Sequence, residues 1–227
     1  GSEMCIRDRY DYGARHYDAV LGRFTTNDRF AEKYYSMSPY QYGANSPVGN
    51  IDVNGDSIII KPNANGIIDQ IKVLFGYDTK FQKDVKADLF QLKQDDKKVA
   101  DIIGKLEESK NIHYITMPKK GEYNSTGFNA DKVKKNISQG SEIYYNPYNR
   151  RRGRNDSDMR TPRIGLAHEL QHSFDVDKKV ATYERTKNGI LLMDIRAINT
   201  ENRIRKVIGE PKRTMYGTQK VPKELLE

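Results

Sequence analysis

The chain carries one cysteine in 227 residues, four histidines, and no window that approaches the 18 or more uninterrupted apolar residues a membrane helix needs. A lone Cys5 excludes an internal disulfide and a cysteine metal cluster. The start lacks the apolar core of a signal peptide, so export would depend on something outside this chain. Gly1-Ser2 reads as a tag-cleavage remnant, and Glu3 to Asp8 match nothing around them, so neither enters the functional argument. With 36% hydrophobic and 31% charged residues the chain is polar without being poor enough in apolar groups to stay disordered. A soluble globular protein of one or two domains is expected.

Acidic charge is the minority: 39 Lys and Arg stand against 31 Asp and Glu, a net charge of +8. A basic balance raises nucleic-acid binding, because such side chains neutralise phosphates without regard to base sequence. The densest run, Arg150, Arg151, Arg152 and Arg154, lies in a Gly- and Asn-rich stretch with no stacking platform beside it. A solvated loop is the expectation there, and nucleic acid is an unfavoured partner.

The chain changes character near residue 56. Before it, Tyr10, Tyr12, Tyr17, Tyr34, Tyr35, Tyr40 and Tyr42 recur among Gly13, Gly22, Gly43 and Gly49, the pattern of short strands and tight turns. The stretch YDYGARHYDAVLGRFTTNDRFAEKYYSMSPYQYGANSPVGNIDVNGD, Tyr10 to Asp56, resembles the end of the Rhs-repeat-associated core region. That resemblance implies residues 1–56 as a short β-rich remnant of an Rhs shell, followed by a toxin domain over 57–227. Some members cut themselves at this boundary through Asp-Pro-x-Gly motifs. Here Asp52-Val53-Asn54-Gly55 has valine in place of proline, and Asp52 and Asp56 read as turn residues.

From residue 57 onward the pattern is α+β. Ser57 to Lys61, Asn111 to Met117 and Glu142 to Tyr145 read as strands, and Phe81 to Gln94 as a helix burying Val85, Leu89 and Leu92. Val99, Ile102, Ile103 and Leu106 repeat the helical spacing as core. Lys119 to Gly140 is polar and glycine-punctuated, so a long loop or irregular hairpin is expected. His113 alternates with apolar neighbours and reads as structural.

Two of the four histidines fall in one short motif, His168-Glu169-Leu170-Gln171-His172. Thr161-Pro162 starts a helix there, with Ile164, Ala167, Leu170 and Phe174 as its apolar side. Residues i and i+4 share a helix face, about 5–6 Å apart, so two imidazoles can hold one zinc ion. Glu169 beside the first of them can take the proton of an attacking water.

The third ligand lies farther along. Position 175 is Asp and position 178 is Lys, where a metzincin would have Gly and His, so that subclass is excluded. Asp175 and Asp177 sit too close to His172 to fold back and read as an exposed helix end. Leu191 to Gly217 reads as a second helix closed by Gly209 and Pro211. It places Asp194, Ala197 and Glu201 on one face, a gluzincin-like arrangement in which either Asp194 or Glu201 could be the last zinc ligand, and Glu201 could instead be the partner of a ligating histidine. Tyr216 is a candidate donor to the oxyanion.

Ile143-Tyr144-Tyr145-Asn146-Pro147, Ile164 to His172, Ala197 to Arg205, and Arg213 with Tyr216 together resemble the NleD-like effector zinc metallopeptidases, over Glu142 to Gly217. Asp194 stands ahead of the small Ala197 where relatives commonly have glutamate, so the resemblance favours Asp194 as the zinc ligand, with Glu201 the alternative. The resemblance implies a zincin-like zinc endopeptidase secreted or delivered into a target cell by a dedicated machine. A protein substrate is implied in that cell, and a cognate immunity protein, expected to be acidic, in the producer. The alternatives are a basic nucleic-acid-targeting toxin and a catalytically inactive binding module in which the His-Glu helix is structural.

Overall fold

The computed structural model describes residues 9–11, 16–18, 21–27, 38, 40, 57–64, 66–153 and 156–227. They form an α+β fold. The described part of the first 56 residues is a small antiparallel meander of β1 (Arg9–Asp11), β2 (His16–Asp18) and β3 (Arg23–Phe24). Phe24 is buried and its amide donates to the Tyr40 carbonyl at 2.8 Å. Short strands are therefore present where the tyrosine and glycine pattern placed them. Cys5, Asp52, Asp56, Arg154 and most of the recurrent tyrosines lie outside the described residues.

The larger unit is built on a four-stranded sheet in the order β4-β5-β7-β6: β4 (Ile58–Ile60), β5 (His113–Thr116), β7 (Ser141–Tyr144) and β6 (Ser125–Gly127). The first three are parallel, and β6 runs antiparallel to β7 along an edge. Side chains alternate across a strand. The inward row Ile60, Ile115 and Ile143 therefore meets α2 (Lys80–Asp95), α3 (Lys97–Glu107) and α5 (Pro162–Asp177) in one core. The next inward row, Ile58, His113 and Ser141, is partly polar.

Local chemistry fixes the helix ends. Thr79 and Gln82 close a reciprocal capping box on α2, and Gln82 Nε2 also donates to the Ile60 carbonyl at 3.1 Å, tying helix to sheet. Asp96 caps α3 and accepts from Arg203 Nε at 3.0 Å, joining it to α6 (Leu192–Ile208). Pro162 opens α5 as expected. Gly209, at φ 75°, ends α6 in the left-handed conformation that glycine adopts without strain.

Four expectations need correction. The motif helix α5 buries more than its one expected apolar side: thirteen of its sixteen residues are buried, because α2, α3, α6 and the sheet surround it. Asp175 and Asp177 are buried and paired rather than exposed. Gln171 Nε2 and Arg196 Nε hold Asp175 at 2.8 and 2.9 Å, and Asn111 Nδ2 and the Ser109 hydroxyl hold Asp177. The polar stretch 119–140 contains the edge strand β6 and a short helix, α4 (Ala130–Lys134). The arginine run is a hairpin of β8 (Arg151–Gly153) and β9 (Asp156–Met159) rather than a loop.

A further helix, α1 (Ile67–Leu74), was not anticipated, and its Ile68 and Leu74 face solvent. The chain ends in a small hairpin of β10 (Met215–Tyr216) and β11 (Gln219–Lys220). Among the described residues no helix is long and apolar enough to cross a membrane.

Candidate active site

α5 and α6 pack against each other, and this contact brings the motif together with Asp194 and Glu201; Ala197, between the two acids in sequence, is fully buried. The His168 and His172 rings stand edge to face, 5.0 Å between centroids, as their i, i+4 spacing requires. Asp194 Oδ1 lies 3.6 Å from His172 Nε2. Glu201 Oε2 lies 3.3 Å from His168 Nδ1, at an angle that leaves that nitrogen without a well-aligned hydrogen bond.

These side chains border a cleft of about 320 Å³. Its walls include Asn124, Ser125 and Thr126 on the β6 side, Phe128, Leu191 and Met193, the two arginines Arg160 and Arg213, and Tyr216. His168, Glu169, His172, Asp194 and Tyr216 thus share one cavity, whereas Glu201 lies behind it, fully buried. His113 is elsewhere. Its Nδ1 meets the Ser141 hydroxyl at 2.9 Å and its Nε2 faces Asp177 at 3.6 Å, so it is part of the core as expected.

Burial governs the charges. It pushes the Glu169 carboxyl up, against the opposing pull of the His168 charge and the Thr126 hydroxyl. Asp194 is likewise raised by burial, with His168, the Tyr216 hydroxyl and Arg213 acting the other way. His172 is lowered to about 3 by burial, with the His168 and Arg196 charges adding to the effect. A neutral imidazole offers a lone pair, which is the form a metal takes. Tyr216 is raised by burial and by the neighbouring Asp194, so its hydroxyl keeps its proton and remains a donor.

Glu201 is the exception. Burial alone would raise it, yet His168, Arg160 and Arg213 hold it well below the usual carboxylate range. Arg160 Nη1, Arg205 Nη2 and Arg213 Nη1 donate to it at 3.2, 3.0 and 2.7 Å. A carboxylate so engaged has little basicity left for a metal. Of the two acidic candidates, Asp194 lines the cleft beside His172, with the Tyr216 hydroxyl as its hydrogen-bond partner, and Glu201 therefore has the position of a support behind His168.

The donor set suits zinc: two imidazoles and a carboxylate. Two donors on a tetrahedral zinc, each about 2.0–2.1 Å from it, stand about 3.4 Å apart, close to the His172 and Asp194 separation. The convergence is pairwise, since among the described residues no three His, Cys, Asp or Glu side chains are already gathered as a metal cage.

Thr126 escaped the sequence reading. Its hydroxyl lies 2.9 Å from Glu169 Oε2 and 3.1 Å from the Glu169 carbonyl, pinning the Glu169 side chain to the edge strand. A single threonine in a polar stretch carries no local signal of that contact. Arg160 was equally hidden, one basic residue just after an arginine-rich run. Its guanidinium reaches Glu201 across the bare backbone of Gly165, where a Cβ would stand 2.6 Å from Arg160 Nη2 and 2.6 Å from Asn124 Nδ2. None of the family models, curated proteins or solved structures compared with this chain matches it.

Proposed function

We propose that this chain is a zinc-dependent endopeptidase, the toxin domain of an Rhs-repeat protein delivered into a target cell, with a zincin-like arrangement of α5, α6 and an edge strand. The observation that carries this reading is the single cleft lined by two histidines one turn apart, by the Glu169 carboxylate between them in sequence, and by Asp194 from a second helix, 3.6 Å from His172. His168, His172 and Asp194 would hold the metal.

Bound zinc supplies a Lewis acid that polarises the scissile carbonyl and lowers the pKa of water. Glu169, raised by burial, takes the proton of the attacking water and passes it to the leaving amine. Thr126 fixes the rotamer of that base from the β6 side. Tyr216 donates its hydroxyl proton as a hydrogen bond to the oxygen on which negative charge develops. Glu201 and its arginines set the orientation of the His168 ring. The open edge of β6, beside Glu169, offers an extended peptide backbone a strand to pair with.

Elemental analysis of the purified chain, beside peptide cleavage by the same preparation and by Glu169→Gln, tests the reading. Near-stoichiometric zinc is expected in both proteins, with cleavage at least a hundredfold lower in the variant, a typical loss for a general base. No zinc after zinc-supplemented expression, or undiminished toxicity of Glu169→Gln, would refute it.

A further inference from the structure

The cationic wall of the cleft has donors beyond those that hold Glu201. Arg160 and Arg213 both line it, and both are more than nine-tenths buried. Each gives Nη1 to Glu201, and Arg213 also gives Nε to the Met215 carbonyl at 3.0 Å. A guanidinium carries five N–H donors in a flat fork. Nη2 of Arg213, and Nε and Nη2 of Arg160, therefore remain unspent. None of these donors is among the fully enclosed unpartnered side-chain atoms of the described residues, which are all histidine nitrogens, and both arginines line the cleft.

Charge points the same way. Arg160, Arg205 and Arg213 converge on Glu201, and Arg205 also meets Glu210 at 3.3 Å. Three guanidiniums thus answer to two carboxylates. The other anions of the cleft, Asp194 and Glu169, are committed to metal and water in the reading above. An enclosed guanidinium with spare donors favours a planar anion that brings two oxygens.

We propose that Arg160 and Arg213 form a carboxylate-binding subsite, so that the cleft selects peptides carrying a carboxylate close to the bond that is cut. The cutting rests on the peptidase reading; the binding does not. The carboxylate comes either from an Asp or Glu side chain within the peptide or from the substrate's own C-terminus, with the same fork-to-fork contact in each case.

The test uses the full chain carrying Glu169→Gln, loaded with zinc, and three probes: an acetylated, amidated alanine hexapeptide with one central glutamate, its glutamine counterpart, and acetyl-hexaalanine with a free C-terminus. The amidated hexaalanine serves as reference. Calorimetric titration should give about tenfold or tighter binding for the glutamate peptide over the glutamine one, or for the free terminus over the amide. The first result assigns an internal acidic residue and the second a terminal carboxylate. Lysine in place of Arg160 or Arg213 keeps the charge and loses the fork. At least one of these variants, checked for an unchanged melting profile, should lose most of that preference. Equal affinity for all four peptides overturns the subsite, as does a preference that survives both lysine variants. In parallel, wild-type protein is given a mixed peptide library. Cleavage that favours neither an acidic side chain nor a free C-terminus near the cut overturns the subsite while leaving the peptidase reading standing. A carboxylate preference in binding without any cleavage leaves the subsite standing and removes the peptidase.

Discussion

Asp194 and Glu201 occupy the same helix face two turns apart, yet the residues around them give them opposite work. Asp194 sits at the cleft with its charge disfavoured by burial, whereas Glu201 anchors three guanidiniums. Their removal should therefore differ in kind. Asp194→Ala should abolish tight zinc binding at little cost to the fold, since it deletes a carboxylate that burial already disfavours. Glu201→Gln should weaken zinc by about 10–100-fold and also destabilise the protein by roughly 3–5 kcal/mol, because buried guanidiniums lose their counter-charge. Zinc competition and denaturant melts on both variants check this, and a stable Glu201 variant with no zinc at all would reverse the roles. Gly165→Ala makes a sharper case. Alanine favours a helix by up to about 1 kcal/mol, but its Cβ would meet Arg160 and Asn124 at 2.6 Å. Zinc affinity should fall by about tenfold with helix content intact, and an unchanged affinity would show that Arg160 does not act through Glu201 on His168.

At the scale of elements, the C-terminal turn of α5 is docked by polar contacts. Asp177 accepts from Asn111 Nδ2 at 2.7 Å, pairs with the Ser109 hydroxyl and Lys178, and faces His113. Burial alone would raise its carboxyl, but these partners hold it well below the ordinary range. A depressed folded-state pKa stabilises above the unfolded value of about 3.9 and is lost as pH falls below it. Asp177→Asn should lower stability by about 1–3 kcal/mol at neutral pH. The gap from wild type should close as pH drops below about 4, in melts followed by circular dichroism. A gap independent of pH would assign the loss to packing.

For the whole molecule the net charge of +8 sets how partners arrive. If an acidic immunity protein covers the cleft, complementary charge speeds encounter more than it strengthens the final contact. Stopped-flow mixing with that partner should show the association rate falling steeply with added salt while dissociation changes little. Association indifferent to salt would mean an apolar interface.

The histidine motif, the helix that carries it and the second acidic pair were legible because they depend on short-range geometry: i, i+4 spacing, a proline at a helix start and a glycine at a helix end. The alternating strands β4, β5 and β7 were legible for the same reason, as was the core role of His113. Thr126 and Arg160 were not, since each acts on a residue 40 or so positions away and nothing local distinguishes it from solvent-facing polarity. The choice between Asp194 and Glu201 belongs to the same class. Sequence alone put both carboxylates on one face of α6. Only the packing of α5 on α6, with one acid lining the cleft and the other enclosed by arginines, distinguished them, because burial and counter-charge depend on what the fold brings alongside.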